Sequence, residues 1–373
     1  MCFYLNKILI FTKNKILRKS ISSKEYNIEF TDKQYLILNN FIKNHQYSSV
    51  FILVDSNTEE LCLQNFLSEF STEKPLEIIS IDVGELNKHI ETCSGVWEAL
   101  SELGADRKSL LINLGGGMVT DLGGFVASTF KRGIDFINIP TTLLSMVDAS
   151  VGGKTGVNLG ALKNQVGVIV NPKMVLIDSQ YLNTLPSEEY RSGYAEMLKH
   201  GLIHDKTYWD KLSNFKKIST DEIKELIYHS VGIKNQVVLK DPYEYGTRKI
   251  LNFGHTLGHA IESFCLTDKK TTTLLHGEAI AIGMILEAYL STQLTGFSSD
   301  QCNNIKEVFD SIYPKLDFTK KNINAILELL QYDKKNSHGK IKFVLLETIG
   351  KAAIDVEVPD ELFLKAFQYY IEK

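Results

Sequence analysis

Short aliphatic runs alternate with helical stretches in the first half of the chain. The runs at Val50–Val54, Glu77–Asp82 and Ser109–Leu114 are rich in branched aliphatic residues, as in strands buried on both faces of a parallel sheet. Helical stretches begin near Glu59 and cover Gly95–Leu103. This alternation predicts an α/β fold with an open, mostly parallel sheet.

Further strands are predicted beyond these runs. The aliphatic stretches at Ile134–Ile139, Gly167–Val170 and Met174–Ile177 have the length of strands rather than helices. Near the carboxyl terminus, Ile341–Leu346 and Ala352–Val358 predict a hairpin.

Helical periodicity dominates the second half of the chain. Pro186, followed by a serine and two glutamates, is a helix-start signal. From there to about Thr295 apolar residues recur at helical spacing, and helices are also predicted over Asn322–Tyr332 and from Pro359. We therefore predict two domains with these bounds: residues 1–184 for the sheet and residues 185–373 for the mostly helical part.

Composition and charge are those of an ordinary globular protein. The chain has 373 residues, more than one hydrophobic core usually supports, and is 44% hydrophobic and 23% charged. A formal net charge of −4 gives no electrostatic reason to bind nucleic acid or an anionic membrane. No apolar run approaches the roughly 20 residues that span a bilayer. We expect neither nucleic acid nor membrane as a partner.

Cysteine usage and the first residues bear on the location of the protein. The five cysteines are scattered and form no CxxC pair: Cys2, Cys62, Cys93, Cys265 and Cys302. Neither a disulfide framework nor a zinc–thiolate cluster is predicted, which fits a reducing cytoplasm. The basic stretch up to Ser20 has no continuous apolar core for a secretory signal and resembles an organellar transit peptide only weakly.

A glycine-rich stretch follows the predicted strand that ends at Leu114. Its sequence, GGGMVTDLGGF over residues 115–125, opens a predicted helix, where backbone N–H groups and the positive helix end can hold a pyrophosphate. The spacing is not GxGxxG, so a tight strand-to-helix turn is the alternative. Asp121 either caps the helix or faces a nucleotide.

Polar residues follow other predicted strands at the same edge of the sheet. Asp55 follows the first strand, Glu85 and Lys88 the second, and Thr141 and Thr142 a later one. Ligands of dinucleotide-binding sheets lie at this carboxyl edge. The pattern alone favours solvated surface for the charged residues, and for the threonines helix capping is an equal alternative.

Glycines surround a lysine at position 154. The stretch VGGKTG over residues 151–156 is not a P-loop, because Asp148 stands where the first glycine is needed, and no nucleotide triphosphatase is predicted. Lys163 and Asn164 follow at short range. A loop with ammonium and amide groups suits phosphate and carboxylate, and solvated lysines are the alternative.

Carboxylate and imidazole side chains recur in the predicted helical domain. Glu196, His255, His259 and His276 are candidate metal ligands. His255 and His259 are four residues apart and share a helical face, so spacing alone makes both ligands. No HExxH glutamate stands between them, which excludes the metalloprotease pattern. Histidines without a metal are the alternative.

Basic and amide side chains accompany these candidates. Lys199 lies three residues after Glu196 and faces the same way, while Lys234, Arg248 and Asn252 surround the start of the first histidine helix. Positive charge beside a metal is explained if an anionic, hydroxylated substrate bridges the two.

Taken together, these stretches resemble the 3-dehydroquinate synthase family of the sugar phosphate cyclase superfamily, from about Val50 to the carboxyl terminus. The motifs that carry the resemblance are GGGMVTDLGGF (115–125), FKRG (130–133), PTTLLSMVDASVGGKTGVN (140–158), LKN (162–164), GYAEMLKHG (193–201), GHTLGHAIE (254–262) and LHGEA (275–279). The resemblance implies a Rossmann-like NAD-binding domain, a helical metal- and substrate-binding domain, catalysis in the cleft between them, and a homodimer.

The resemblance also implies residue roles. Glu196, His255 and His276 would bind a divalent metal, zinc or cobalt, and His259 would handle a proton instead of binding the metal. Residues that would face NAD are Asp55, Glu85, Lys88, Gly116, Gly117, Met118, Val119, Thr120, Asp121, Thr141, Thr142, Asp148, Lys154, Lys163, Tyr181 and Thr184. Residues that would face the substrate are Arg132 from a neighbouring subunit, Lys154, Asn164, Lys199, Lys234, Arg248, Asn252, Lys334 and Lys335.

The implied reaction converts 3-deoxy-D-arabino-heptulosonate 7-phosphate to 3-dehydroquinate and phosphate in the shikimate pathway. NAD accepts a hydride from the substrate, phosphate is eliminated, the hydride returns, and an intramolecular aldol step closes the ring. Three features depart from the family pattern: a longer Ser263–Leu275 segment, Asp241 and Pro242 in place of an acidic pair, and Val83 where aspartate is frequent.

Two other functions remain open. A sister cyclase that makes an inosose or valiolone uses a substrate without a carboxylate, which would leave the Arg248 guanidinium without a partner. A metal-dependent polyol dehydrogenase would release NADH and needs fewer cations for its substrate.

Overall fold

A seven-stranded sheet forms the amino-terminal half of the chain in the computed structural model. The structure describes residues 20–31, 35–160, 162–214, 220–267, 273–336 and 341–372. The basic stretch before Ser20, with Cys2, lies outside the described residues, as do residues 268–272 of the longer segment.

The strands occur in the chain as follows: β1 Ser20–Ser22, β2 Asn27–Thr31, β3 Val50–Asp55, β4 Leu76–Ile81, β5 Leu110–Gly115, β6 Asp135–Pro140, β7 Lys154–Leu159, β8 Leu162–Ile169, β9 Met174–Asp178, β10 Lys342–Thr348 and β11 Lys351–Glu357. The large sheet has the order β1-β2-β9-β6-β5-β3-β4, and its neighbours pair in parallel except β1 and β2. Every residue of the central strands β3 and β5 is buried, which explains their continuous aliphatic sequence.

The predicted parallel sheet is confirmed, with strand bounds within one or two residues of those expected for β3, β4, β5, β6 and β9. The expected hairpin near the carboxyl terminus is also present as β10 and β11. The short strands β1 and β2 were not predicted, because they carry few aliphatic residues and lie at the sheet edge.

The expected loop around Lys154 is wrong, because Lys154 begins strand β7. The predicted strand at Gly167–Val170 is confirmed up to Ile169 as part of β8, which pairs with β7 in an antiparallel hairpin separate from the large sheet. A Cβ atom at Gly167 would lie 2.2 Å from the Thr155 carbonyl oxygen. The glycines that indicated a flexible loop therefore permit close strand contact.

Helices make up most of the rest of the described chain. They are α1 Leu36–Asn44, α2 Ser56–Thr58, α3 Gln64–Glu69, α4 Ile90–Glu102, α5 Gly117–Thr129, α6 Ser187–His204, α7 Lys206–Leu212, α8 Thr220–Lys240, α9 His255–Thr267, α10 His276–Leu294, α11 Ser299–Ile312, α12 Lys320–Asn336 and α13 Asp360–Ile371. In the described part of the chain, no helix combines the length and apolarity that a membrane span requires. The change from sheet to helices falls between β9 and α6, and a domain boundary at residue 184 stays a prediction.

Helix α10 forms the centre of the helical half. It packs against α6, α9, α11 and α13, and most of its residues are buried, which explains why it is apolar around most of its circumference. Glycines bring α9 and α10 unusually close: a Cβ atom at Gly283 would lie 2.0 Å from the Gly254 carbonyl oxygen, and one at Gly258 would lie 2.7 Å from Ile280.

Candidate active site

The sheet half meets the helical half around Asp148, Lys163 and Lys234, and we call this meeting region the cleft. Polar contacts cross it at several points: Lys234 Nζ donates to Asp148 Oδ1 at 2.5 Å, Lys163 Nζ to Glu262 Oε1 at 2.7 Å, and Arg248 Nη2 to the Gly152 carbonyl oxygen at 3.2 Å. Four of the predicted substrate and cofactor residues, Asp148, Lys163, Lys234 and Arg248, therefore lie where the two halves meet, although they are distant in the sequence.

Glu196 lies in the middle of α6 with no solvent exposure. Its Oε2 atom is in ion-pair contact with Lys199 Nζ, one turn further along the helix. Burial on its own would raise the pKa of Glu196, but Lys199 and two neighbouring histidines hold that pKa well below its usual value. A buried, ionised carboxylate is stable only with cations around it.

Two histidines from different helices face the same oxygen of Glu196. His255 Nε2 of α9 and His276 Nε2 of α10 are each 3.6 Å from Glu196 Oε1. Ligands of a tetrahedral zinc ion are about 3.4 Å apart when each is about 2.0–2.1 Å from the metal. Glu196 Oε1 has no hydrogen bond within the described structure, whereas Oε2 contacts Lys199. The donor set and spacing fit a divalent metal.

The outer nitrogens of both histidines have acceptors close by. His255 Nδ1 is 3.1 Å from the Phe253 carbonyl oxygen, so Nδ1 carries the proton and Nε2 is left bare for a metal. His276 Nδ1 is 3.6 Å from Glu262 Oε2. Partners of this kind fix the ring orientation of metal-binding histidines.

Close packing places His276 beside Glu196. The Gly277 N–H group donates to Ser192 Oγ at 3.0 Å, and a Cβ atom at Gly277 would lie only 2.0 Å from the Ser192 carbonyl oxygen. The start of α10 thus rests on α6 one turn before Glu196. Glu278 caps its own helix by accepting from the Leu275 N–H group at 3.0 Å.

Other candidate ligands lie within the same cluster. Nitrogen atoms of His255, His259 and His276 lie within 4.8 Å of one another, so the set that spacing predicts also comes together. Oxygens of Asp148 and Glu196 likewise lie within 4.8 Å of a nitrogen of His200. The structure brings all the candidates together, and the choice among them remains a proposal.

His259 differs from the other two histidines in its exposure. Its side chain reaches solvent in the cleft. The surrounding protein and the neighbouring His276 nevertheless lower its pKa to about 4, so the ring is neutral at physiological pH when no metal is present.

Positive side chains line the cleft beside this cluster. Lys199, Lys234 and Arg248 are all buried, and Arg248 Nη1 donates to the Pro242 carbonyl oxygen at 2.6 Å. Burial, together with Arg248 and Lys234, lowers the pKa of the half-exposed Lys154 to about 8. Lys154 is in ion-pair contact with Glu244, which also accepts from Asn252 Nδ2 at 2.7 Å. This concentration of positive charge suits an anionic ligand.

The glycine stretch forms the predicted junction of strand and helix. β5 ends at Gly115 and α5 begins at Gly117, with Gly116 at the helix start and no side chain capping it. Met118, Val119 and Thr120 lie in the first turn. The Thr120 N–H group donates to the Gly116 carbonyl oxygen at 3.1 Å, so the N–H groups of Gly117, Met118 and Val119 are the ones available to a phosphate.

The buried Lys88 forms an ion pair with the partly buried Asp121 of α5. Lys88 Nζ is 2.6 Å from both Asp121 Oδ2 and Asn164 Oδ1, and Lys88 is 3% exposed. Asp121 lies inside α5 and does not cap it. The alternatives of a helix cap for Asp121 and of solvated surface for Lys88 are both wrong.

Other predicted NAD-facing residues have local partners in this structure. Asp55 Oδ1 accepts from the Thr58 N–H group at 2.8 Å, and Thr142 Oγ1 accepts from the Ser145 N–H group at 3.1 Å, so both residues cap helices. Asp55 is buried, which rules out solvated surface for it. Further contacts are Glu85 Oε1 with Asn158 Nδ2 at 3.0 Å, Tyr181 Oη with Tyr35 Oη at 2.8 Å, and Thr184 Oγ1 with the Tyr181 carbonyl oxygen at 3.2 Å; Thr141 is buried after β6.

Arg132, a predicted substrate residue, takes part in none of these contacts. Arg132 is exposed on a turn with φ of 71°. Its predicted role depends on a neighbouring subunit. The backbone of Lys334 and Lys335 is helical in α12, and their side chains lie outside the described part of the structure.

Several site residues were missed from the sequence. Glu262 contacts both Lys163 and His276, and Glu244 contacts both Lys154 and Asn252. Glu262 lies three residues after His259 and so near its helical face, which was a usable signal. No local pattern indicated Glu244. Its partner Lys154 lies in β7, far away in the sequence, and its partner Asn252 follows only after a turn.

A carboxylate–histidine cluster, an uncapped glycine helix start and buried cations are typical of metal- and nucleotide-dependent enzymes that act on anionic, hydroxylated substrates. The chain belongs to the 3-dehydroquinate synthase family. Residues 78–192 match the family described as 3-dehydroquinate synthase N-terminal, and residues 193–336 match 3-dehydroquinate synthase C-terminal. Enzymes of this kind are phosphate-eliminating lyases.

Relatives along most of the chain agree with this assignment. The 3-dehydroquinate synthase of Parabacteroides distasonis is 42% identical over 337 residues, which cover 90% of this chain and 95% of the relative. That of Campylobacter hominis is 38% identical and covers 91% of this chain and 98% of the relative.

Solved structures with the same fold include other cyclases. The 2-epi-5-epi-valiolone synthase of Streptomyces hygroscopicus, with NAD+ and Zn2+ bound, has a TM-score of 0.82 at 25% identity and covers 94% of this chain and 98% of its own. A 2-deoxy-scyllo-inosose synthase complexed with carbaglucose-6-phosphate, NAD+ and Co2+ has a TM-score of 0.81 at 24% identity, covering 94% and 99%.

Replacement of Glu196 tests the metal site. We expect Glu196→Gln to weaken Zn2+ binding by more than about 100-fold, because the amide is neutral and a poorer ligand. Loss of a residue that only hydrogen-bonds to a metal ligand typically weakens metal binding by about 10–100-fold, and loss of a ligand itself should cost more. Binding is measured by competition with a chromophoric chelator. Glu188→Gln, at an exposed position of the same helix, is the matched control and should bind Zn2+ like the parent. Equal affinity of the Glu196→Gln protein and the parent would contradict the assignment.

Proposed function

We propose that this chain forms 3-dehydroquinate and phosphate from 3-deoxy-D-arabino-heptulosonate 7-phosphate in the cleft described above, with no net consumption of NAD. The observation that carries the proposal is a buried carboxylate facing two histidines beside three buried cations, Lys199, Lys234 and Arg248. A substrate with a phosphate, a carboxylate and several hydroxyls matches both parts of this site.

The proposed cofactors are NAD and a divalent metal, zinc or cobalt. Glu196, His255 and His276 would hold the metal, and the glycine helix start with the polar carboxyl edge of the sheet would hold NAD. When bound, these groups supply a hydride acceptor and a Lewis acid for the hydroxyl that is oxidised. The cofactors named for the valiolone and inosose synthases support this assignment.

The chain's own residues bind and orient the substrate. Lys154, Lys234 and Arg248 would hold the phosphate and carboxylate, and would exchange their present protein acceptors for substrate oxygens. Asn164 and Asn252 would donate to hydroxyls. Correct placement of the reacting carbons is the main contribution of such groups to an elimination and an aldol closure.

His259 is the proposed proton carrier. Its ring is neutral, reaches solvent in the cleft and lies beside His276, with ring centroids 5.7 Å apart. A neutral imidazole accepts a proton at its bare nitrogen and releases it to solvent. This role separates His259 from the metal ligands on either side of it.

Arg248 separates the proposal from its closest alternative. Valiolone and inosose synthases have the same fold, but a substrate without a carboxylate would leave the buried guanidinium of Arg248 without an anionic partner. The higher identity to 3-dehydroquinate synthases, 42% against 25%, favours the carboxylate-bearing substrate.

A cytoplasmic homodimer is the proposed form of the enzyme. Free, buried thiols at Cys62, Cys93, Cys265 and Cys302 support a reducing compartment. The exposed Arg132, held on a turn of left-handed backbone conformation, supports a role across a subunit interface. In a two-fold dimer each subunit would supply this arginine to the cleft of the other.

A turnover experiment tests the proposed reaction. Metal-loaded protein, heptulosonate phosphate and catalytic NAD+ should give phosphate and 3-dehydroquinate in equal amounts without lasting NADH absorbance, because the hydride returns in each cycle. Product is followed by mass and phosphate by a colorimetric assay. Release of phosphate only from a sugar phosphate without a carboxylate would indicate a sister cyclase. Lasting NADH with a polyol would indicate a dehydrogenase.

Mixed dimers test the placement of Arg132. Arg132→Ala and Lys234→Met should each be inactive when pure. After the two are unfolded and refolded together in equal amounts, about half of the dimers are mixed and have one intact site of two, so about a quarter of parental activity should return. A mixture that stays inactive, while parent protein refolds with full activity, would contradict a shared site.

A further inference from the structure

Glu287 is a fully buried carboxylate of α10 that has no part in the roles proposed above. Its Oε2 atom accepts from the Gly254 N–H group at 2.6 Å, and its Oε1 atom accepts from the Leu257 N–H group at 3.2 Å. Both donors belong to the start of α9, the helix that begins at His255. Burial raises the pKa of Glu287 to about 8, although the N–H groups of Gly254 and Leu257 at the positive start of α9 oppose this rise. The geometry shows both oxygens as hydrogen-bond acceptors.

The peptide group between Phe253 and Gly254 links this carboxylate to a proposed metal ligand. Its N–H group donates to Glu287, and its carbonyl oxygen lies 3.1 Å from His255 Nδ1. Because the peptide group is conjugated, a short hydrogen bond accepted from its N–H group increases the negative charge on the carbonyl oxygen. Glu287, the peptide and the imidazole thus form one chain of hydrogen bonds.

The backbone at this peptide is in an unusual conformation. Gly254 has a φ of 80°, and a Cβ atom there would lie 2.3 Å from Met284. Glycine permits this conformation, and the bond to Glu287 holds the peptide in the orientation that presents the Phe253 carbonyl to His255. Rotation of the peptide would remove the acceptor from Nδ1.

We propose that Glu287 is a positioning residue that acts through the Phe253–Gly254 peptide to orient His255 and to increase the basicity of its Nε2 atom. The inference rests on the proposed metal role of His255. In many metal sites a carboxylate bonds directly to the outer nitrogen of the histidine and fixes its ring. Here Glu287 would have the same effect on His255 through one peptide group.

The test compares Glu287→Gln with a matched control on the same helix. Ser291 is also fully buried in α10, but it bonds to the Glu287 carbonyl oxygen and to the Leu346 N–H group, away from α9. We expect Glu287→Gln to weaken Co2+ binding by about 10–100-fold and to shift the visible absorption bands of bound Co2+. Ser291→Ala should lower thermal stability but leave Co2+ affinity and spectrum unchanged.

The possible results distinguish failure of this inference from failure of the proposed metal site. Co2+ affinity and spectrum equal to those of the parent in Glu287→Gln would overturn the inference, whatever the change in stability. If His255→Ala also binds Co2+ like the parent, the proposed metal site fails as well. If Glu287→Gln does not fold, Glu287→Asp provides the same test. Its side chain is shorter by one methylene group, so its carboxylate does not reach the Gly254 N–H group. Parental Co2+ affinity in that variant overturns the inference.

Discussion

The buried charge of Glu196 is the constraint on which the rest of the site depends. Moving a carboxylate out of water costs several kcal/mol even after relaxation, and the cost is met only by cations and hydrogen-bond donors at close range. Lys199 contacts one oxygen, and His255 and His276 face the other. Removing one partner of such a buried pair typically lowers the free energy of unfolding by about 3–5 kcal/mol. Each partner is therefore held close to Glu196 in the folded protein.

The helical half is built to meet this constraint. Glycines allow α10 to contact α6 at Ser192 and α9 at Gly254, so His255 and His276 reach Glu196, although they follow it by 59 and 80 positions in the sequence. The sheet half contributes differently. Its carboxyl edge provides polar groups, and Asp148 and Lys163 bond to the helical half across the cleft. A substrate that binds between them would contact both halves at once.

Local patterns account for much of the fold and for part of the site. The aliphatic runs of β3 and β5, the helix start after Pro186 and the junction at Gly116 follow from side-chain periodicity and backbone chemistry, and the structure confirms them. The glycines near Lys154 were misleading, because glycine permits both flexible loops and close strand contact. Glu262 and Glu287 act through contacts between elements far apart in the sequence. The shared face of His255 and His259 is real, but spacing could not show that Glu196 faces His255 and His276.

Anomalous diffraction at the zinc edge, from crystals of this chain grown with Zn2+, tests the account most directly. We expect one strong peak within about 2.0–2.2 Å of Glu196 Oε1, His255 Nε2 and His276 Nε2. A peak coordinated by His259 in place of Glu196, or one between Asp148 and His200, would contradict the assignment on which the proposed chemistry rests.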